Sequence, residues 1–209
     1  MAVLPYRWSN PVVLKSARTR LDMRMAATIE DASGRLLADV SSVDVGAWQR
    51  IDRIFGGMTA RYAFEVVSGE GTTLLSVVRP ARKGLRDRLE NLEVRDASGS
   101  LVGTLRQANG YLSGRRCFEL EVGSHVIGRT KRGSGSDRIE LEDGAGRSLA
   151  IVGATPQQGS VTNLYDYTVN MTGASDPSTM WLCLAAAVAE YFYDRIDDGG
   201  PMRALLWWT

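Results

Sequence analysis

The stretch that decides the fold is DPSTMWLCLAAAVAEYFYDR, residues 176–195. Asp176 followed by Pro177 is a strong helix start, because Asp caps free backbone N–H groups and Pro fits the first helical position. The ten residues from Met180 to Ala189 then include no polar side chain. A helix without a polar face needs apolar surroundings on every side.

Two environments could surround such a helix: lipid, or the interior of the protein itself. A membrane span needs roughly 18 to 20 apolar residues, whereas a run of about 10 to 14 is more typical of a buried core helix. Glu190 interrupts this run after ten residues. We therefore expect a buried central helix over about residues 177–195, followed by a short tail over 196–209, and no transmembrane span.

The remainder of the chain has the pattern of β-hairpins. Short segments of alternating apolar and polar residues, typical of half-buried strands, are separated by many of the 22 glycines. The turn Asp31-Ala32-Ser33-Gly34 recurs letter for letter at residues 96–99 and in looser form at 143–146. Asp can hydrogen-bond the turn backbone, and Gly supplies the positive φ that the return strand needs.

Further segments extend this series. Two hairpins without the Asp run from Tyr62 to Arg79 and from Cys117 to Thr130, a last strand runs from Leu164 to Met171, and a short helix is predicted over residues 44–55. The pattern predicts a mainly β (α+β) protein with an antiparallel meander of about ten to twelve strands. No linker divides the chain, so we expect one domain over residues 1–209. A closed β-barrel is the simplest enclosure for the helix, and closure also removes sheet edges.

Several stretches resemble the tubby-like superfamily, in particular its phospholipid-scramblase and LURP-one-related branches. These are RYAFEVVSGEGTTLLSVVRP (61–80), LRDRLENLEVRDASGSLVGTLRQ (85–107) and CFELEVGSHVIGRT (117–130), together with the closing helix 176–195. The resemblance covers about residues 20–195 and is that of a compact, bacterial-style relative. It implies a twelve-stranded antiparallel barrel with the helix threaded through the middle, and a non-catalytic role in binding anionic phospholipid or a membrane surface.

Composition limits the function classes. With 25 Lys+Arg against 24 Asp+Glu the formal net charge is +1, which argues against a histone-like or ribosomal binder. A hydrophobic fraction of 44% excludes wholesale disorder. The two cysteines, Cys117 and Cys183, cannot form a disulfide framework, and the amino end lacks the pattern of a secretory signal. We expect a cytoplasmic protein, with peripheral membrane association if it binds lipid.

The sequence offers no catalytic constellation. His125 is the only histidine, so any Ser-His-Asp or Cys-His arrangement would have to use it, and neither cysteine stands in a nucleophile signature. The Gly/Ser loop 133–136 lacks the Gly-Lys-Ser/Thr that follows in a phosphate-binding loop. We therefore expect no catalytic residue, and an enzyme is the third hypothesis for the function.

Metal ligands are equally sparse. One histidine and two separated cysteines do not supply a zinc site. Asp194, Asp197 and Asp198 suggest oxygen ligands for calcium, but the alternation and closing Glu of an EF-hand loop are missing. We interpret these acids as solvated carboxylates at a helix end, and expect no metal and no cofactor.

Two basic clusters form the candidate site. The cations predicted to bind an anionic headgroup are Arg79, Arg82, Lys83, Arg86 and Arg88 in the first cluster, and Arg129, Lys131 and Arg132 in the second, with Arg138, Arg115 and Arg116 nearby. Such clusters attract anionic phospholipid, or the phosphates of nucleic acid. The plainer interpretation is that they solubilise loops and pair across strands with Glu119, Glu121, Glu140 and Glu142. A nucleic-acid or protein-interaction module is the alternative to lipid binding.

The tail carries the sequence Leu205-Leu206-Trp207-Trp208. Trp favours the membrane interface, which suits a peripheral anchor. The same residues suit a plug packed across one barrel end. We favour the plug, because the tail is short and carries one cation, Arg203.

Overall fold

The computed structural model describes residues 8, 10–16, 26–43, 62–80, 91–108, 117–132, 138–157 and 165–197. This part of the chain contains twelve strands and one helix. They are β1 (Val12–Ser16), β2 (Ala26–Asp31), β3 (Leu36–Ser42), β4 (Tyr62–Ser68), β5 (Thr73–Arg79), β6 (Asn91–Asp96), β7 (Leu101–Gln107), β8 (Phe118–Val122), β9 (His125–Arg132), β10 (Arg138–Asp143), β11 (Ser148–Pro156), β12 (Tyr165–Met171) and α1 (Pro177–Asp197).

The strands form one closed antiparallel barrel. Each strand pairs with its neighbours in sequence, and β1 closes the sheet by pairing with both β2 and β12. Burial alternates along the strands, for example at Ala27 and Ile29 of β2, which point inward between half-buried neighbours. The predicted barrel of about twelve strands around a C-terminal helix is confirmed.

The helix α1 fills the barrel. Asp176 accepts a hydrogen bond from the Thr179 backbone N–H at 2.9 Å, as expected of a capping residue. Every residue from Trp181 to Tyr193 is buried. A barrel widens with its strand number, and twelve strands leave room for a helix where eight would be filled by side chains. Among the described residues, helical structure long and apolar enough to cross a membrane is not found.

Close approach of the helix to the wall requires a glycine in β7. A Cβ added at Gly103 would lie 3.1 Å from Leu182 Cδ1 of α1 and 2.2 Å from the backbone oxygen of Glu121 in β8. Gly103 therefore lets β7 approach the helix and the next strand at the same point.

Five short turns close hairpins at one end of the barrel, where α1 begins; we call it the turn end. The carboxylate of Asp96 accepts hydrogen bonds from the backbone N–H groups of Ser98 and Ser100, at 2.9 and 3.0 Å. Asp31 and Asp143 make the equivalent bonds in their own turns. The glycine of each turn has a positive φ, +81° at Gly99. The repeated Asp-x-x-Gly pattern thus predicted these three turns correctly, and the two hairpins without Asp are also present.

Three sequence predictions lie outside the described residues. They are the short helix over 44–55, the Gly/Ser loop 133–136 and the Trp-containing tail. The central helix, predicted over about 177–195, ends at Asp197.

Gly103→Ala tests the close packing of helix and wall. We expect it to lower the free energy of unfolding by about 1–3 kcal/mol, because the new methyl overpacks the barrel interior. Gly153→Ala in β11 is the matched control, since no atom lies within 4 Å of its added Cβ. Urea unfolding of both variants at one pH measures the difference. Equal losses in the two variants would contradict the close approach at Gly103.

Acid should weaken the barrel through its aspartates. The Ser98 hydroxyl, and then the backbone N–H groups of Ser100 and Ser98, lower the pKa of Asp96 against the opposing effect of desolvation. A carboxyl group whose pKa is lowered on folding stabilises the fold above its unfolded value of 3.8, and this contribution disappears as the pH falls through the folded pKa.

We therefore expect Asp96→Ala to lower the thermal midpoint at pH 7, and this difference from wild type to shrink towards pH 3. Glu70→Ala, which removes an acid from another turn at the same barrel end, is the control for charge alone. Scanning calorimetry at several pH values measures both. A difference independent of pH would show that the Asp96 carboxylate is not the source of the stabilisation.

Candidate functional site

The end of the barrel opposite the turns carries the long connections; we call it the connection end. Six segments of five to nineteen residues join successive strands there: 17–25, 43–61, 80–90, 108–117, 133–137 and 157–164. Most of their residues lie outside the described ranges, but their attachment follows from the strands that they join. Together they carry twelve Lys or Arg residues and six Asp or Glu residues. The connection end is therefore basic in composition, within a chain of formal net charge +1.

The topology brings the two basic clusters of the sequence to the same part of this end. The connection 80–90, which holds Arg82 to Arg88, joins β5 to β6, and the connection 108–117, with Arg115 and Arg116, joins β7 to β8. Lys131 and Arg138 stand near the adjoining ends of β9 and β10. Strands β5 to β10 are consecutive around the barrel, so these segments attach along one arc of its rim. We call this set the basic arc.

Two of the eight predicted site residues face the barrel interior instead. Arg79 is 5% exposed, and the Arg132 side chain is 8% exposed and forms an ion pair with Glu190 of α1. Both occupy inward-facing positions of their strands, since Val77 and Thr130, two residues earlier on the same face, are also buried. Both side chains are thus largely removed from the barrel surface in the structure. The period-two alternation of β5 and β9 was the sequence signal that could have identified them.

The other six predicted residues divide between the outer wall and the undescribed connection. Arg129 is exposed, and in register it lies between Glu119 of β8 and Glu142 of β10. The Lys131 side chain is 62% exposed, with its Nζ 3.0 Å from Glu142 Oε1. Arg82, Lys83, Arg86 and Arg88 lie outside the described residues.

Cross-strand ion pairs neutralise much of the outer wall. Besides the Lys131–Glu142 pair, Arg106 of β7 contacts Glu119 at 2.7 Å and Glu121 at 2.8 Å. The interpretation of Lys131 as a cross-strand partner of glutamate is thus confirmed. Exposed pairs of this kind contribute only about 0–1 kcal/mol each. Their consequence is that the unbalanced positive charge belongs to the connections rather than to the strands.

The barrel interior offers little space for a ligand. At the connection end a crevice lies between α1 and β4–β6, lined by Phe64, Arg79, Leu92 and Phe192 among others, with room for about one water molecule. Phe64 and Phe192 stack face to face across it, with ring centroids 3.4 Å apart. Within the described ranges, α1 and the inward side chains occupy the space where a barrel of this size could hold a ligand.

Both thiols have raised pKa values, and Cys117 lies at the opposite barrel end from His125. Burial, together with the charge of Glu190, raises the pKa of the Cys117 thiol, although Arg132 opposes this. Burial raises the pKa of Cys183 to about 12. His125 is exposed and begins β9 at the turn end, whereas Cys117 precedes β8 at the connection end. The topology therefore does not bring His125 and Cys117 together.

Within the part of the chain that the structure describes, no group of three or more His, Cys, Asp or Glu side chains could hold a metal ion. The calcium alternative concerned Asp194, Asp197 and Asp198. Their side chains lie outside the described part.

Comparisons of the chain with models of protein families, with curated proteins and with solved structures find no match. The tubby-like resemblance therefore stays a prediction from the sequence.

The two cysteines should differ sharply in reactivity. We expect iodoacetamide to modify Cys117 slowly in the native protein, and faster as the pH rises above 9, while Cys183 stays unmodified until the barrel unfolds. Peptide mapping by mass spectrometry at increasing urea concentration separates the two sites. Modification of Cys183 in the absence of denaturant would contradict the enclosure of α1.

Proposed function

We propose that this protein is a non-catalytic barrel that binds anionic phospholipid at a membrane surface through its connection end. The observation that carries the proposal is the attachment of two cation-rich connections, 80–90 with Arg82 to Arg88 and 108–117 with Arg115 and Arg116, along one arc of the barrel rim, β5 to β8. Cations that are separate in the sequence thereby belong to segments that attach to the same half of the rim. Each Lys or Arg near an anionic membrane surface contributes about 1 kcal/mol of attraction.

The two ends of the barrel differ in charge, which favours an end-on orientation. The short turns at the turn end contain the acids Asp31, Glu70, Asp96 and Asp143, against the two cations Arg35 and Arg147, which pair with Asp31 and Asp143. The connections at the opposite end carry the excess of cations. A nearly neutral protein with this separation is steered towards an anionic surface by its basic end, and salt weakens the effect.

Large apolar residues in the same connections favour a membrane over nucleic acid. Trp48 and Phe55 belong to the connection 43–61, and Tyr111 belongs to 108–117. Because α1 ends at the connection end, Trp207 and Trp208 follow in the chain from that end. Trp and Tyr are enriched at membrane–water interfaces, where an apolar ring meets a polar environment.

The filled interior supports binding at a surface rather than of a ligand held inside the barrel. With Trp181 to Tyr193 buried among the inward side chains, an acyl chain would have to displace the helix. An extended anionic surface makes no such demand. We accordingly propose peripheral association of a cytoplasmic protein with a membrane.

Membership of the tubby-like superfamily, in its scramblase and LURP-one-related branch, is part of the same proposal. It is supported by the agreement between the fold that the resemblance implies and the observed barrel of twelve strands around a C-terminal helix.

Vesicle co-sedimentation tests the proposal. We expect wild-type protein to bind phosphatidylcholine vesicles containing phosphatidylserine, but not pure phosphatidylcholine, and to bind less at physiological than at low salt. The variant Arg82→Gln/Lys83→Gln/Arg86→Gln should lose about 3 kcal/mol of affinity, roughly a hundredfold, at low salt.

The matched control is Arg35→Gln/Arg95→Gln/Arg147→Gln, which removes the same charge from the turn end. Equal losses of vesicle affinity in both triple variants would show that only the net charge matters, and would contradict a role for the basic arc. Absence of vesicle binding, with salt-dependent binding of duplex or single-stranded nucleic acid, would favour the alternative of a nucleic-acid module.

A further inference from the structure

The central helix has a surface that does not by itself define its position. Its residues from Met180 to Ala189 are all apolar, and Ala185 to Ala187 present three successive small side chains. Apolar burial is non-directional and scales with area. A rotated or axially shifted α1 would still bury much of this area, although it would lose the fit of Leu182 against Gly103 and the stacking of Phe192 on Phe64. Polar contacts therefore act beside this packing in selecting the observed arrangement.

The polar contact of greatest consequence is the ion pair between Glu190 and Arg132. Glu190 is 2% exposed and the Arg132 side chain is 8% exposed, so both charges are removed from water. Burying two charges carries a desolvation penalty that their attraction need not exceed, so such a pair is weak grounds for net stability. Removing one partner by mutation lowers the free energy of unfolding strongly, because it leaves a buried charge without its counterion.

A second polar contact joins the same turn of α1 to a different strand of the barrel wall. The Tyr191 hydroxyl donates a hydrogen bond to the Ala26 backbone oxygen at the start of β2, at 2.8 Å. Residues 190 and 191 leave the helix about 100° apart. Strands β9 and β2 lie five positions apart in the twelve-strand ring, so the two contacts hold different sides of the helix.

We propose that the Arg132–Glu190 pair sets the rotation and depth of α1 in the barrel, at the expense of stability that apolar residues would provide. A shift of α1 by one residue turns it by about 100° and carries Glu190 away from Arg132. In these alternative positions the two buried charges are separated, whereas in the observed position they are paired. This inference concerns the fold and does not depend on lipid binding.

The pair also connects the helix to the basic arc. Arg132 is the last residue of β9 and immediately precedes the connection 133–137. Cys117, directly before β8, lies near enough for the charges of Glu190 and Arg132 to act on its pKa in opposite directions. The final turns of α1 are thereby fixed relative to this side of the connection end.

Fluorine NMR of protein containing 5-fluorotryptophan tests the proposal through Trp181. This residue packs edge-to-face on Trp8, with ring centroids 6.4 Å apart, and reports where the first turns of α1 lie. Trp181→Phe assigns its signal. Wild-type protein should give one sharp Trp181 signal, and Arg132→Met/Glu190→Leu should give a split or broadened one while its urea midpoint equals or exceeds that of wild type. Either single substitution should lower the midpoint.

Lys131→Met/Glu142→Leu is the control, because it removes an ion pair between the same strand and its neighbour β10 that joins an exposed lysine to a largely buried glutamate on the outer wall. It should leave the Trp181 signal single. A single sharp signal in Arg132→Met/Glu190→Leu would overturn the proposal, since the helix would then be positioned without the pair. Failure of that variant to fold, or a midpoint below those of both single variants, would also overturn it, because the pair would then act through stability.

Discussion

An apolar helix that must be covered on every side is the constraint on which this structure depends. From Trp181 to Tyr193 no residue of α1 is left exposed, so the wall has to surround it completely rather than pack against one face. A closed sheet meets this demand while satisfying the backbone hydrogen bonds of every strand and leaving no edge. The small side chains of Ala185 to Ala187 and the glycine at position 103 adjust the helix and the wall to one another.

The difference between the two barrel ends follows from the same arrangement. In an antiparallel meander, successive connections alternate between the ends, so the short turns collect at one end and the long segments at the other. Three of these turns use Asp for their backbone hydrogen bonds and all five use Gly for positive φ, so their acids outnumber their two cations, Arg35 and Arg147. Longer connections are not restricted in this way and can carry cations. Charge separation in a nearly neutral chain is therefore compatible with the folding rules of its hairpins.

Local sequence patterns were enough to predict the fold, whereas the arrangement of the candidate site could be seen only from the tertiary structure. The apolar run after Asp176 predicted the central helix, and the repeated Asp-x-x-Gly turns predicted their hairpins, because both signals act over a few residues. Counting cations along the chain did not distinguish the buried Arg79 and Arg132 from exposed cations, because it ignored the direction in which alternate strand residues point. The partner of Arg132 lies 58 residues away on α1, a pairing that no local pattern specifies. Placing both clusters on one arc likewise required the strand order.

Cations that look alike in the sequence thus have three different roles in the fold. Arg132 is buried and positions the helix, since moving Glu190 away from it would leave two charges without compensation. Lys131, one residue earlier, points outward and pairs with Glu142, so its charge is largely balanced within the wall. In sequence, the cations of the connections outnumber the acids of the same segments two to one. The strand cations thus belong to the scaffold to which the connections attach.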